Sequence, residues 1–218
     1  MRYYPVNLDI KSKECLVVGG GSVSSRKVAT LLKCGTKITV VSPEFSESLQ
    51  KLSDNGTITI KERAYRSSDL EGMFLVIGAT DNEQLNRKIS SDAEKQNVLC
   101  NIADVPDESN FVLPAIVNRG DLVIAISTSG KSPAFAKKLR KDLEKEFGEE
   151  YEAFLDLMGA IRKRLLSEKH EPEAHKDLFE SLISGGLLDM IKENESGRID
   201  SLLLDVLGEG YTFKELKK

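Results

Sequence analysis

The sequence predicts an α/β protein: a doubly wound parallel sheet, then a β-hairpin, then a helical carboxyl-terminal region. Three observations carry this. Short apolar runs alternate with helix-period segments up to about residue 100, the pattern of a parallel sheet with crossover helices. Several of those runs are apolar at consecutive positions, as strands covered on both faces must be. After Asp104 the alternation stops, two β-rich runs flank one turn, and the remainder reads as helix.

Taken in order, Glu14–Val18 is the first strand and runs into Gly19-Gly20-Gly21. Val23, Val28, Leu31 and Leu32 then recur at helical spacing, with Arg26, Lys27 and Lys33 polar and Gly35 as the cap. Residues 37–41 form a second strand closed by Ser42-Pro43, and residues 44–54 a helix stopped by Asn55-Gly56. Thr57-Ile58-Thr59-Ile60 alternates and suits an edge strand. Residues 74–79 are a buried strand, 82–96 a helix capped by Asn82 or Asp81, and 98–102 the last strand of the series. Phe111–Val117 and Leu122–Ile126 flank Asn118–Asp121, which predicts an antiparallel hairpin. Ser132 as N-cap and Pro133 at the first helical position open a helix to about Phe147. From Glu149 the chain is charged and helical, with breaks at Glu171-Pro172, Gly185-Gly186 and Gly197. Leu187-Leu188 and Leu202-Leu203-Leu204 are expected to bury. The predicted division is 1–108, 109–148 and 149–218.

Composition narrows the function. Lys plus Arg number 31 against 35 Asp plus Glu, a net charge of −4, which argues against a nucleic-acid binder. No apolar run approaches the roughly 20 residues of a membrane helix, and the start lacks the apolar core of a signal peptide. A cytoplasmic enzyme is expected, with Cys15, Cys34 and Cys100 as reduced, buried thiols. The two histidines, His170 and His175, are expected at the surface. Their spacing suits no metal site, and none is predicted.

The strongest feature is Gly19-Gly20-Gly21-Ser22-Val23-Ser24 between a strand and a helix. Gly19 permits the sharp turn, and Gly21 lets a pyrophosphate approach the backbone. Ser24 stands at the small-residue packing position, which Gly or Ala would fill better. The helix start offers N–H groups and the positive end of its dipole to phosphates. In strand–turn–helix context this points to a Rossmann-like dinucleotide site, the other reading being a tight turn with no ligand. The acidic residue expected about 20 positions on is missing from the strand end Val41-Ser42-Pro43, and the nearest acid is Glu44. Glu44 and Glu47 would repel a 2′-phosphate, which favours NAD over NADP. Gly78-Ala79-Thr80-Asp81 ends another strand on the same edge, where small residues would let a nicotinamide ribose pass.

Five motifs occur in one order: Val17–Val23 with Arg26-Lys27, Val40–Pro43, Gly78–Asp81, Asn101-Ile102-Ala103-Asp104, and Ser127-Thr128-Ser129-Gly130-Lys131-Ser132-Pro133. Together they resemble the precorrin-2 dehydrogenase and sirohydrochlorin ferrochelatase module of the siroheme synthase family, over about residues 1–150. The resemblance implies NAD-dependent oxidation of precorrin-2 to sirohydrochlorin. It implies NAD contacts at Gly21, Ser22 and Val23 and at Ser42, Pro43 and Glu44, to which the residue reading adds Gly19, Thr80 and Asp81. It implies Asp104 as the catalytic acid/base, and Thr128 stands where some members carry a phosphorylatable Ser. It also implies a homodimer formed through the hairpin and the following helices, with the active site between cofactor domain and dimer region. Fuller family members carry a methyltransferase domain after this module, which the chain is expected to lack.

The substrate that the resemblance implies is a polycarboxylate tetrapyrrole. Ser127, Thr128, Ser129, Gly130 and Lys131, with Asn101, are its candidate contacts, ahead of Lys137, Arg140 and Lys141 on one helix face. Three other readings stay open: a bifunctional enzyme that also inserts ferrous iron, a non-catalytic NAD-sensing domain, and an unrelated small-molecule dehydrogenase. The sensor has no need of the Asn101–Asp104 and Ser127–Pro133 motifs. The dehydrogenase would usually show a Tyr-Lys or His-based pair, and none is evident.

Overall fold

A computed structural model describes residues 2–103, 105–167 and 174–216, and the chain divides into two compact units, Met1–Leu113 and Pro114–Lys218. In the first unit the strands are β1 (Glu14–Val18), β2 (Lys37–Ser42), β3 (Thr59–Glu62), β4 (Leu75–Gly78) and β5 (Leu99–Ile102). They form one parallel sheet in the order β3-β2-β1-β4-β5. Helices α1 (Ser22–Lys33), α2 (Glu47–Asp54) and α3 (Glu83–Lys95) connect them. Period-two alternation distributes the apolar side chains between the faces. Cys15, Val17, Val40 and Ile77 pack with Val28, Leu31 and Leu49 of α1 and α2. Leu16, Val18, Val41 and Val76 pack with Ile89 and Ala93 of α3. Both faces are therefore covered, which is why the inner strands β1 and β4 carry apolar residues at consecutive positions, while the edge strand β3 keeps Thr59, Lys61 and Glu62.

The strand order reverses beside β1: the chain first moves outward through β2 and β3, then returns to place β4 on the other side. The crevice at the carboxyl ends of β1 and β4 is thus a topological switch point, the place where open α/β sheets bind ligands.

Several boundaries differ from the sequence expectation, each for a local reason. The edge strand begins at Thr59 rather than Thr57, because Thr57 donates its N–H to the Asn55 side chain (3.1 Å) and Ile58 turns back to the Leu52 carbonyl (3.2 Å). Helix α2 begins at Glu47 rather than Glu44, because residues 43–46 are drawn under the glycine turn, with Ser46 N–H donating to the Gly20 carbonyl at 2.8 Å.

The second unit opens with the hairpin β6 (Ala115–Arg119) and β7 (Leu122–Ile126), antiparallel, with Gly120-Asp121 as its two-residue turn. Strand β6 starts at Ala115 rather than Phe111 because Pro114 has no N–H to give a ladder, while the Phe111 carbonyl accepts from the Asn101 side chain at 3.0 Å. Helix α4 (Pro133–Glu146) starts as expected, with Ser132 Oγ accepting from Phe135 N–H at 3.3 Å, and packs Ala136 against Val117 and Ile126. Helices α5 (Glu150–Ser167), α6 (Ala174–Ser184), α7 (Leu187–Lys192), α8 (Ser196–Leu207) and α9 (Phe213–Leu216) share a core of Leu157, Ile161, Leu165, Leu182, Leu187, Ile199 and Leu203.

Four expectations here are corrected. Gly197 lies inside the first turn of α8 rather than in a break. Leu204 is 52% exposed, because its neighbour Leu203 takes the buried face of the helix. His175 is buried rather than at the surface, since α6 carries it into the helical unit. Cys34 is exposed at the carboxyl end of α1, whereas Cys15 and Cys100 are buried strand residues whose thiols burial pushes up to about 11. His170 and the Glu171-Pro172 break lie outside the described residues.

One polar cluster fixes the exit from β3. Asp69 is buried and accepts from Arg63 Nη1 (2.8 Å), Arg63 Nη2 (2.5 Å) and Arg66 N–H (2.9 Å). The Arg63 side-chain bonds hold its carboxyl down to about 2 against the ordinary 3.8. Because the folded value is depressed, the carboxylate stabilises the fold above about pH 4, and that contribution is lost as pH falls through about 2. Asp69→Asn should cost about 2 kcal/mol in urea denaturation at neutral pH, with the gap from the native protein closing between pH 4 and 2.

Candidate cofactor site

The site is built where β1, β2, β4 and β5 end. Gly19 has φ +119°, a conformation L side chains rarely adopt, and donates its N–H to the Val41 carbonyl at 2.9 Å. A Cβ on Gly19 would stand 2.3 Å from the Ala79 carbonyl oxygen. A Cβ on Gly20 would stand 1.8 Å from the Glu44 carbonyl oxygen. These two glycines let the strand ends close on one another. Gly21 is different: a Cβ there would meet nothing within 4 Å, so its bareness serves open space beside the turn rather than the fold.

Gly21 is the N-cap of α1. No side chain caps this helix and no acidic residue stands in its first turn, so its positive end is left to an anion. Ser24 fits the packing position: it is fully buried, and its hydroxyl donates to the Ala79 carbonyl at 3.5 Å. Ser42 is buried at the end of β2, with Pro43 and Glu44 exposed beyond it.

The β4 loop is held by a residue the sequence reading passed over. Asn86 is buried on α3, donates to the Thr80 carbonyl at 2.9 Å and accepts from the Thr80 hydroxyl at 2.8 Å. Asn82 rather than Asp81 caps α3, accepting from Leu85 N–H at 3.0 Å, so the exposed Asp81 carboxylate is left out of the cap. The signal was an Asn82-x3-Asn86 pair at one helical turn's spacing, just past a strand. Asn101 is buried, and its amide holds the chain at Phe111. Ala103 donates to the Gly78 carbonyl at 2.8 Å, which joins the β4 and β5 ends. Asp104 lies outside the described residues.

In the second unit, Ser129 and Gly130 both have positive φ, 52° and 81°. The loop satisfies much of its own backbone. Ser129 N–H donates to Ser127 Oγ, Lys131 N–H to the Thr128 carbonyl, and Ser132 N–H to Thr128 Oγ1. Ser127 and Thr128 act there only as acceptors, so their O–H protons, the exposed Ser129 hydroxyl and the exposed Lys131 ammonium are all available to a ligand carboxylate. Arg140 is paired with Glu144.

The fit of a dinucleotide is therefore good on three grounds: a glycine cradle only a bare backbone can form, an uncapped helix start, and a switch-point crevice. A cavity of about 510 Å³ lies at the opposite edge of the sheet, lined by Ser12, Lys13, Glu14, Met73, Phe74 and Val98. A single turn glycine, Gly72 with φ +75°, lines it, but no run of glycines and no helix start does. Among the described residues, no group of three or more His, Cys, Asp or Glu side chains is placed to hold a metal ion.

Comparison with known proteins agrees with the site. Residues 6–115 match the family described as "Putative NAD(P)-binding", and residues 119–146 match "Sirohaem biosynthesis protein central". The chain is 36% identical over 206 residues to a siroheme synthase of Vesicomyosocius okutanii, covering 94% of this chain and 44% of the relative. It is 33% identical over 211 residues to that of Nitrosococcus oceani, covering 97% and 45%. The chain thus spans about half the length of the curated relatives it matches. Among solved structures, SirC, precorrin-2 dehydrogenase, superposes with a TM-score of 0.79 at 27% identity, covering 94% of this chain and 99% of that one. The chain belongs to the NAD(P)-binding family, with the sirohaem-biosynthesis central segment directly behind the binding domain.

Proposed function

We propose that the protein is an NAD-dependent precorrin-2 dehydrogenase that yields sirohydrochlorin. The observation that carries this is the glycine cradle at the β1/β4 switch point, in a chain that aligns with SirC over nearly its whole length. Bound NAD supplies a hydride acceptor. The protein's share is placement and proton transfer. Gly21, Ser22 and Val23 hold the pyrophosphate, with Gly19 closing the turn, and Ser42, Pro43 and Glu44 border the adenosine ribose. Thr80 and Asp81, steadied by Asn86, border the nicotinamide end. Asp104 takes the proton that leaves the macrocycle as the hydride departs, which balances the two-electron oxidation. Ser129 and Lys131 engage the substrate's carboxylates, in the loop Ser127–Lys131. The parts divide as 1–108 for cofactor, 109–148 for dimer and substrate contacts, and 149–218 as a helical region.

The test is anaerobic mixing of protein, NAD and precorrin-2. NADH and sirohydrochlorin should appear in equal amounts. No NADH from folded protein would overturn the proposal.

We further infer a homodimer working in the cytoplasm. Val117 and Ile126 of the hairpin are buried against α4, while Ile116 (39%) and Val123 (47%) on its other face are exposed, and a second copy would cover them. Val123→Asp should shift the mass in solution from dimer to monomer, and an unchanged dimer would place the interface elsewhere. No described helix is long and apolar enough to cross a membrane.

A further inference from the structure

Asn86 is the polar exception on the buried face of α3. The other buried residues of that helix, Ile89 and Ala93, are apolar and join the sheet core, whereas Asn86 is 6% exposed. Asparagine is a poor helix former, and a buried amide is costly unless its bonds are made. The helix cap does not need it, because Asn82 already accepts from Leu85 N–H. Asn86 spends both ends of its amide on one residue outside the helix, Thr80, in the loop that ends β4.

The proton directions in this pair are fixed. The Thr80 carbonyl can only accept, so the amide atom 2.9 Å from it is Asn86 Nδ2. Asn86 Oδ1 then faces the Thr80 hydroxyl, and it too can only accept, so the hydroxyl gives it its one proton at 2.8 Å. The Asn82 carbonyl, 3.3 Å from the same hydroxyl, is left without that proton. Of the two lone pairs on Thr80 Oγ1, one accepts from Asn82 N–H at 3.3 Å. The other stays open, on a half-buried residue past the carboxyl end of β4, which pairs with β1 beside the glycine turn. Asn86 thus turns a hydroxyl that could donate or accept into an acceptor alone. A ribose hydroxyl would bond to either kind of partner, but an amide N–H can be met only by an acceptor. We propose that Asn86 is a positioning residue that fixes Thr80 Oγ1 as the acceptor for the carboxamide N–H of the nicotinamide, and so sets the rotation of that ring in the crevice. This rests on the dinucleotide reading of the glycine turn. It adds the group that orients the reacting ring and the residue that holds that group.

The test is a calorimetric titration with NAD and with 3-acetylpyridine adenine dinucleotide, in which a methyl ketone replaces the carboxamide and the N–H donor is gone. Native protein should bind NAD about tenfold more tightly than the analogue, the order of one hydrogen bond. Thr80→Val should bring that ratio close to one, and Thr80→Ser, which keeps the hydroxyl, should preserve it. Asn86→Leu should lower the ratio, because the Thr80 hydroxyl is then free to turn its proton toward the ligand, and should lower it no further in a Thr80→Val background. Thermal melting shows which variants are folded, and Asn86→Ala takes the place of Asn86→Leu if the larger side chain does not fit. A purely structural role for Asn86 would weaken both dinucleotides alike, and an unchanged ratio in the folded variant would therefore overturn the inference. A ratio near one in native protein would also overturn it. Native protein that binds neither dinucleotide would sink the dinucleotide reading and this inference with it, which is a different result from either of these.

Discussion

Gly21→Ala is expected to leave the protein folded and to weaken NAD binding by about a hundredfold. The two halves of this result come from different observations. A methyl on Gly21 would meet no protein atom within 4 Å, and the residue's φ of −85° is open to any L residue, so the fold has no reason to object. The same methyl would occupy the space a pyrophosphate needs in order to reach the N–H groups of Ser22 and Val23. Losing two charge-assisted hydrogen bonds at roughly 1.5 kcal/mol each corresponds to about two orders of magnitude. The control is Gly20→Ala, whose Cβ would stand 1.8 Å from a backbone oxygen that cannot swing aside. That variant should lose stability as well as NAD. Calorimetric titration and thermal melting of both variants check the pair. If Gly21→Ala binds NAD as well as the native protein does, the pyrophosphate is not where the glycine turn would hold it.

Asp104→Asn is expected to retain NAD affinity and to lose turnover by about a hundred- to ten-thousandfold, the range a positioned general base contributes. The amide matches the carboxylate in shape but has no basic lone pair at working pH. The loss should therefore fall on kcat, with the acid limb of the pH–rate profile disappearing together with the carboxylate. Stopped-flow measurement of NADH formation with bound NAD separates this from a binding defect. Near-native turnover would remove Asp104 from the chemistry and leave proton release to solvent.

Most of the fold was written in short-range patterns. Residues 15–18 and 40–41 are apolar at successive positions because the sheet is covered on both faces, and that is visible without coordinates. The Ser132-Pro133 helix start is equally local. What could not be read depends on distant partners. Nothing near Thr57 announces that its N–H bonds to Asn55, or that the edge strand starts two residues late. The middle glycine of the turn has no meaning in sequence until the Glu44 carbonyl is seen against it. The hydroxyls of Ser25 and Ser46 stand 2.9 Å apart across 21 positions of chain, and neither residue announces the other. His175 looked like a surface residue in a charged segment, and only the packing of α6 buries it. In the loop 127–132, the Ser127 and Thr128 hydroxyls also hold backbone N–H groups, a second task that their residue types alone do not announce.

A crystal structure of the protein with NAD tests the central claim most directly. The pyrophosphate should lie across the start of α1, against the N–H groups of Ser22 and Val23, with the nicotinamide at the Gly78–Asp81 loop. Density for NAD in the cavity beside Lys13 and Phe74, at the other edge of the sheet, would contradict the account.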